Sequence, residues 1–272
     1  MKNFEEKITL EFSKNLRKNI LNMALSAGSA SSHFGGALSC IDIVAVLFKN
    51  IINYNKKNNK EFSRDRFILS KGHACMTLYS VLKEINLISN EELLTFEKSN
   101  SFLLGHPVKN PEKGIELSTG SLGMGLSISM GIALGAKKQN LNSKVYVIIG
   151  DGECNEGSIW EVALSAPKFE LNNLCVVLDR NNFQQTGSGK EILDLDSLYE
   201  KWKSFNWEVI EIDGHNHSEI FNAFIKPVTK PKIIIANTIK GKGFSFSENN
   251  NDWHHKILTK NQYEEALKEL DA

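Results

Sequence analysis

The sequence lacks a surplus of either charge and is poor in cysteine. Its 32 Lys and Arg balance 32 Asp and Glu, whereas a general nucleic-acid or membrane-surface binder carries a basic excess. The four cysteines are widely spaced, at Cys40, Cys75, Cys154 and Cys175. Without a C-x-x-C pair they argue against a disulfide framework and against a structural zinc site.

Long hydrophobic runs are also missing. The two strongest apolar stretches, residues 41–48 and 144–150, are far shorter than the ~18 residues that a membrane span needs. The start, MKNFEEKITLEF, has acidic residues where a signal peptide needs an apolar run. We therefore expect a cytoplasmic protein with reduced cysteines, which binds neither a membrane nor nucleic acid.

What the sequence does contain is a series of short apolar runs separated by helix-length segments. Five runs predict buried strands: 67–69, 145–149, 175–178, 209–212 and 233–236. Buried strands that alternate with helices predict an α/β fold with a mainly parallel, doubly wound sheet flanked by helices. No linker or repeat divides the chain, so residues 1–272 are predicted to form a single domain.

Helices are predicted where apolar residues recur at helical spacing or where small residues allow close packing. Four segments are assigned in this way: 4–27, 41–48, 121–138 and 262–270. Ser89 begins a helix, because Glu92 three residues later completes a capping box. The small residues of 28–39 are predicted to form a loop.

The most informative segment is an apolar strand that leads into an acidic, glycine-rich turn. Residues 144–150 run into Asp151 and Gly152, and about thirty residues later a second strand, 174–179, runs into Asn181. Ligands of doubly wound sheets bind at the carboxyl ends of strands. A carboxylate and an amide oxygen, together with diphosphate oxygens, suit Mg²⁺ or the larger Ca²⁺. The alternative is a tight turn and a hydrophilic loop, but the two motifs after apolar strands favour the metal site.

This pattern resembles the magnesium–diphosphate motif of thiamine-diphosphate enzymes, GDG followed after about thirty residues by NN. The longer string GDGECNEGSIWE is similar to the transketolase branch, in the domain that binds the diphosphate. Further matching motifs follow along the chain: SSHFGGALS at 31–39, LSKGHA at 69–74, GHP at 105–107, STGSLGMGLS at 118–127, DGHN at 213–216 and KGKGFSFSENNNDWH at 240–254. The chain ends where the second domain of a full-length transketolase would begin. We therefore expect the N-terminal subunit of a split transketolase.

The resemblance implies a metal site and a cofactor site. Mg²⁺, with Ca²⁺ or Mn²⁺ as substitutes, would be bound by Asp151, Asn181 and the backbone carbonyl of Phe183. Thiamine diphosphate would be bound by a larger set: His73, Gly120, Ser121, Leu122, Gly152, Glu156, Glu161, Asn181 and His254. In this set the two glutamates match acidic residues that join two cofactor sites across a subunit contact.

Four histidines match the catalytic set of the family: His33, His73, His106 and His254. The resemblance places His33 and His106 on the hydroxyl and carbonyl oxygens of the substrate, with His254 facing both cofactor and substrate. A neutral histidine can donate and accept a proton, which suits proton movement between sugar hydroxyls. Of the other histidines, His215 is expected to hold a turn, and His217 and His255 are expected on the surface.

Two residues depart from the family pattern beside the substrate histidines. Phe34 stands where the family has proline after the first histidine, and His255 where it has glycine after the last. We expect Phe34 to shape substrate choice. The alternative is that its ring turns inward and packs against the first helix.

The resemblance implies transfer of a two-carbon ketol unit from a ketose or ketose phosphate to an aldose. The activating glutamate would come from a C-terminal, pyrimidine-binding partner subunit, with two copies of each chain in a heterotetramer. One alternative is a subunit of another thiamine-diphosphate enzyme, such as a deoxyxylulose-phosphate synthase, a 2-oxo acid dehydrogenase or an enzyme of modified or nucleotide-linked sugars. Another is a non-catalytic cofactor-binding subunit. A dinucleotide-binding domain is disfavoured, because residues 120–125 lack the G-x-G-x-x-G spacing.

Overall fold

A parallel sheet forms the centre of the molecule. The structure, a computed structural model, describes residues 4–195 and 197–271. Over these residues it contains five strands: β1 (Arg66–Leu69), β2 (Val145–Gly150), β3 (Leu174–Arg180), β4 (Glu208–Asp213) and β5 (Lys232–Asn237). They lie in the order β1-β2-β3-β5-β4, and each neighbouring pair is parallel. All five predicted strands and the parallel sheet are confirmed. The domain predicted over 1–272 includes residues 1–3, 196 and 272, which lie outside the described residues.

Helices cover the sheet over the described residues: α1 (Glu6–Ala27), α2 (Phe34–Leu38), α3 (Ile41–Val46), α4 (Cys75–Glu84), α5 (Asn90–Leu93), α6 (Met124–Lys138), α7 (Gly157–Lys168), α8 (Gly189–Ile192), α9 (Leu198–Ser204), α10 (His217–Ile225) and α11 (Lys260–Asp271). The four helices predicted from periodicity and small residues correspond to α1, α3, α6 and α11. The loop predicted over 28–39 is wrong for α2. Its glycines allow close packing, since an added Cβ at Gly35 would lie 3.0 Å from the carbonyl oxygen of Trp253.

Alternate strand residues point to opposite faces, so the sheet supports two apolar cores. On one face, residues such as Tyr146 and Ile148 pack with α1, α3, α4 and α10. On the other face, Val147 and Ile149 pack with α6, α7 and α9. The chain advances across the sheet from β1 to β3, passes over to β4 and returns to β5. After this reversal α10 lies on the opposite face of the sheet from α6 and α7, as right-handed crossovers require, which confirms the doubly wound arrangement.

One helical stretch of the described chain, Phe34–Ile51, is long and apolar enough to cross a membrane by length and composition alone. It includes α2, α3 and the following π turn Leu47–Ile51. It is 89% buried inside the protein, where it packs against α1, α4 and α10. Such burial is expected of a core helix. The apolar run 41–48 is therefore part of a longer buried stretch than the sequence analysis indicated.

The start of α6 lies close to the end of β1. An added Cβ at Gly125 would lie 2.4 Å from Ser70 Oγ, so only glycine lets the helix approach this closely. The glycine-rich sequence of α6 thus brings its N-terminal turn to the carboxyl edge of the sheet.

The predicted capping box is present at the start of α5. Ser89 Oγ accepts from the Glu92 N–H at 3.1 Å, and the Glu92 carboxylate accepts from the Ser89 N–H at 2.9 Å.

Candidate active site

The carboxyl ends of the strands open into a cleft of about 520 Å³. Of the thirteen residues predicted for the site, eleven line this cleft: His33, His73, His106, Gly120, Leu122, Asp151, Gly152, Glu156, Asn181, Phe183 and His254. Ser121 and Glu161 are exposed and stand outside the lining. The predicted place of Glu161 at a subunit contact stays a prediction.

The residues predicted to bind the metal lie on two neighbouring strand ends. Asp151 follows β2, and its carboxylate accepts hydrogen bonds from the Gly152 N–H at 2.8 Å and the Asn182 N–H at 2.6 Å. These bonds join the loop after β2 to the loop after β3. Burial and the nearby charge of Asp179 raise the pKa of Asp151 to about 6. A bound cation would favour the charged form of such a buried carboxylate.

A buried ion pair between Lys71 and Asp179 lies beneath these residues. Asp179 also accepts hydrogen bonds from Ser39 Oγ at 2.6 Å, from Asn181 Nδ2 at 2.9 Å and from Thr238 Oγ1. Burial opposes both charges, but their pairing holds the pKa of Lys71 above its ordinary value and that of Asp179 below it. The sequence analysis missed both residues. Charged side chains directly at the ends of apolar strands were the available signal.

Glu153 is a second buried acid that the sequence analysis missed. Its carboxylate accepts from Ser70 Oγ, from the Gly123 N–H at 2.8 Å and from the Gly150 N–H at 3.1 Å. Burial raises the pKa of Glu153 above its ordinary value. Its three bonds connect the end of β1, the end of β2 and the start of α6. Glu153 therefore holds the glycine turn before α6 against the loop after β2.

The structure brings the four predicted catalytic histidines together. The His33 ring centroid lies 5.6 Å from that of His73, 5.5 Å from that of His106 and 5.4 Å from that of His254. Burial and the neighbouring His255 lower the pKa of His33 to about 3. Burial and Lys71 hold the pKa of His73 well below its ordinary value. These two rings are neutral at physiological pH, so each has one nitrogen that donates and one that accepts.

A lysine determines which ring nitrogen of His254 carries the proton. Lys240 is buried, and its Nζ donates to Asn251 Oδ1 at 2.6 Å and to His254 Nδ1 at 3.0 Å. Burial and Lys240 lower the pKa of His254 to about 4. Burial lowers the pKa of Lys240 to about 8, so its Nζ is mainly an ammonium at neutral pH. Because an ammonium can only donate, the neutral ring accepts at Nδ1 and carries its proton on Nε2. Lys240 has no predicted role, although it opens the matched string at 240–254.

Phe34 does not line the cleft. Its side chain is 0% exposed, and its ring packs with Phe244, Phe246 and Trp253 at centroid distances of 5.9, 6.2 and 5.3 Å. This burial argues against the expectation that Phe34 shapes substrate choice by facing the cleft. The ring turns inward, as the alternative predicts, but its ring contacts are with segment 244–253 and not with the first helix. Its aromatic partners come from segment 244–253, because α2 buries this face against the C-terminal part of the chain.

Two further histidines differ from their predicted surroundings. His217 is 4% exposed and hydrogen bonds to Asp42 Oδ1 at 3.1 Å, so its predicted surface position is wrong. His255 is exposed as expected. Its ring nevertheless lies 4.4 Å from the ring of His33 and contacts Ser31 Oγ. His255 thus forms the rim of the cleft beside a predicted substrate histidine.

Comparison with known proteins identifies the family to which the chain belongs. The sequence model of the family described as transketolase, thiamine diphosphate binding domain, matches residues 14–271. This chain belongs to the transketolase family. It is 39% identical to one subunit of the apulose-4-phosphate transketolase of Phocaeicola vulgatus, over 97% of this chain and 94% of that one. It is 38% identical to the 6-deoxy-6-sulfo-D-fructose transketolase subunit SqwG of a Clostridium species, over 98% of each chain.

Solved transketolases share the fold. The Campylobacter jejuni transketolase superposes with a TM-score of 0.90 and 30% identity, over 98% of this chain and 43% of that chain. The Pichia stipitis transketolase in complex with sedoheptulose-7-phosphate has a TM-score of 0.89 and 27% identity, over 98% of this chain and 41% of that chain. The chain therefore spans less than half of these transketolases but nearly all of the two relatives named as subunits. The predicted N-terminal, split-transketolase type is confirmed.

Proposed function

We propose that this chain binds thiamine diphosphate with a divalent cation and, together with a partner subunit, transfers a two-carbon ketol unit from a ketose to an aldose. The observation that carries the proposal is a single cleft that combines Asp151 and Asn181 with four histidine rings. The family supplies the cofactor class, because the matching family model is that of a thiamine diphosphate-binding domain. In this proposal the assembled enzyme is cytoplasmic.

The residues present fit a diphosphate-bound cation. Asp151 offers a carboxylate with a raised pKa, and Asn155 Oδ1 is a buried acceptor in the same lining that has no hydrogen-bond partner within the described chain. Across residues 4–195 and 197–271, no group of three or more His, Cys, Asp or Glu is placed to hold a metal by itself. Asp151, Asn181 and the Phe183 carbonyl would therefore share Mg²⁺ with the diphosphate oxygens, and Ca²⁺ or Mn²⁺ could replace it.

The chain's own part in the reaction is to bind, to orient and to move protons. Thiamine diphosphate supplies, when bound, the carbon centre and electron sink that ketol transfer needs. His33, whose ring is neutral, and His106 would hydrogen bond the substrate oxygens. His254 carries its proton on Nε2, so it would donate from that atom while Lys240 holds Nδ1. Gly120, with φ 150°, lies where an added Cβ would be 2.9 Å from the His106 ring, so this turn sets the position of that ring.

The relatives' names favour an unusual sugar as substrate. Subunits that match nearly the whole chain are named for apulose-4-phosphate and for 6-deoxy-6-sulfo-D-fructose. We propose that the donor is a ketose or ketose phosphate of this modified kind. The exposed ring of His255, beside His33 on the rim, is an available contact for it. A pentose-phosphate substrate is the competing assignment.

A second polypeptide completes the proposed enzyme. Relatives of this length are named as transketolase subunits, which implies a partner that would supply the pyrimidine-binding domain and the activating glutamate, with two copies of each chain. Helices α6 and α7 carry apolar side chains that a partner could cover, since Met124 is 49%, Ile128 38% and Leu164 68% exposed. We expect no ketol transfer by this chain alone and activity once the product of a neighbouring reading frame is added. Robust turnover without a second polypeptide would refute the partner.

The metal site is tested by replacing its charged ligand. Asp151→Ala in the assembled complex removes a negatively charged ligand of the cation. The affinity for thiamine diphosphate with Mg²⁺ should therefore fall at least tenfold, about 1.4 kcal/mol. Titration calorimetry measures this affinity. Asp252→Ala is the matched control, because Asp252 is an exposed carboxylate in the neighbouring cavity, paired with Lys256. Unchanged affinity in Asp151→Ala would remove the metal assignment, and cofactor binding without partner-stimulated turnover would identify a non-catalytic subunit.

A further inference from the structure

One histidine ring joins the turn after β4 to the turn after β5. His215 Nε2 accepts the Ile239 N–H at 2.8 Å, and its Nδ1 lies 2.8 Å from Asp42 Oδ2. A ring nitrogen that accepts a backbone N–H carries no proton, so the neutral ring has its proton on Nδ1 and donates it to Asp42. His215 therefore holds a turn, as the sequence predicts. It also ties that turn to the segment that contains Lys240.

Asp42 anchors a second side chain that reaches the same segment. The Arg17 guanidinium donates to both carboxylate oxygens of Asp42, at 3.0 and 2.7 Å, and its Nε donates to the Lys242 carbonyl at 3.3 Å. His215 and Arg17 thus hold the backbone on either side of Lys240, at Ile239 and at Lys242. The shared carboxylate is buried in α3, where a charge persists only with such partners.

We propose that Asp42, acting through His215 and Arg17, positions Lys240 so that its Nζ meets Nδ1 of His254 and fixes the ring proton on Nε2. His215 is a positioning residue, since its bonds go to Asp42 and to the Ile239 backbone and not to the cleft. The effect on turnover rests on the proposed function. The effect on the His254 tautomer rests only on the hydrogen bonds of this chain.

The chain offers a matched control for His215. His217 is also buried and also bonds the Asp42 carboxylate, at 3.1 Å from Oδ1. It begins α10, and its other ring nitrogen, Nδ1, has no hydrogen-bond partner within the described residues. Loss of either ring removes one bond from Asp42, but only loss of His215 removes the bond to Ile239.

The experiment compares three variants of the full chain by NMR of ¹⁵N-labelled histidine at neutral pH, with His254→Gln used for assignment. His215→Phe removes both bonds, His217→Phe removes one, and His215→Gln restores an amide that can accept and donate. In the wild type and in His217→Phe we expect His254 Nδ1 to be unprotonated and Nε2 protonated. In His215→Phe both nitrogens should shift toward the average of the two tautomers, and His215→Gln should move them back.

A second readout is turnover of the assembled enzyme at saturating cofactor. His215→Phe should lower kcat at least tenfold, because a displaced proton donor misses its target, while His217→Phe should keep kcat within about twofold. If His215→Phe does not fold, His215→Asn replaces it, since its shorter amide reaches Asp42 but not Ile239.

The proposal is overturned if the His254 nitrogens are unchanged without the His215–Ile239 bond. It is equally overturned if the two phenylalanine variants shift these nitrogens to the same extent, which would show general loosening around Asp42. If no partner elicits turnover from the wild type, the proposed function fails. The nitrogen measurement still decides the positioning role in that case.

Discussion

Removing the Lys71 ammonium tests whether the ion pair beneath the cleft stabilises the fold. Lys71→Met keeps an unbranched side chain but leaves Asp179, which is 0% exposed, with neutral donors alone. Loss of one partner from a buried pair costs about 3–5 kcal/mol. We expect the lower end of this range, about 3 kcal/mol, because Ser39, Asn181 and Thr238 still donate to the carboxylate. Urea denaturation at neutral pH measures the loss.

The pH dependence of the loss identifies its cause. In the wild type, the pKa of Asp179 lies below its unfolded value of about 3.9, so its contribution is present above that pH and is lost as pH falls through the folded pKa. Without Lys71, burial raises the folded pKa of Asp179 above the unfolded value. The free energy of unfolding of the variant then falls as pH rises from about 4 through the raised pKa. The difference in free energy of unfolding between the wild type and Lys71→Met should therefore widen from about pH 4 to pH 7.

The double variant Lys71→Met/Asp179→Asn is the control for this prediction. It removes both charges and keeps a polar group for the remaining donors, so it should recover most of the stability that the single variant loses at pH 7. A gap that does not change between pH 4 and 7 would refute the reasoning. A double variant as unstable as the single one would show that Lys71 contributes packing and not charge.

Three more substitutions probe other parts of the structure. Phe34→Ala should lower the free energy of unfolding by about 3–5 kcal/mol in urea denaturation and leave the ratio of specificity constants for two ketose donors unchanged. An altered ratio with no loss of stability would instead support a role of Phe34 in substrate choice. His255→Gly should change that ratio about tenfold or more with thermal stability and cofactor affinity retained, since the ring borders His33; equal effects on both donors would contradict this. Ser89→Ala should cost about 1 kcal/mol by loss of the cap, which thermal melting measures.

The fold was largely predictable because its signals are local. A strand buried on both faces is a short apolar run, and the five runs from 67–69 to 233–236 are the five strands observed. Periodicity likewise located α1 and α3. The helix α2 was missed, because its glycines serve close packing and not a loop. Gly36, for example, lies where an added Cβ would be 3.3 Å from the His73 ring. No local pattern distinguishes these two uses of glycine.

The sequence alone also indicated eleven of the residues that line the cleft, although it missed Lys71 and Glu153. Motifs that follow strand ends place Asp151 and Asn181 at one edge of any parallel sheet, and matched strings add the four histidines. Only the tertiary structure decided how the buried charges pair. Lys71 meets Asp179 across 108 residues, and His215 meets Asp42 across 173. Such pairs depend on the order of the strands and on which face of a helix is buried. Those are set by the packing of the whole chain, because a charge is stable inside only where the fold brings its partner.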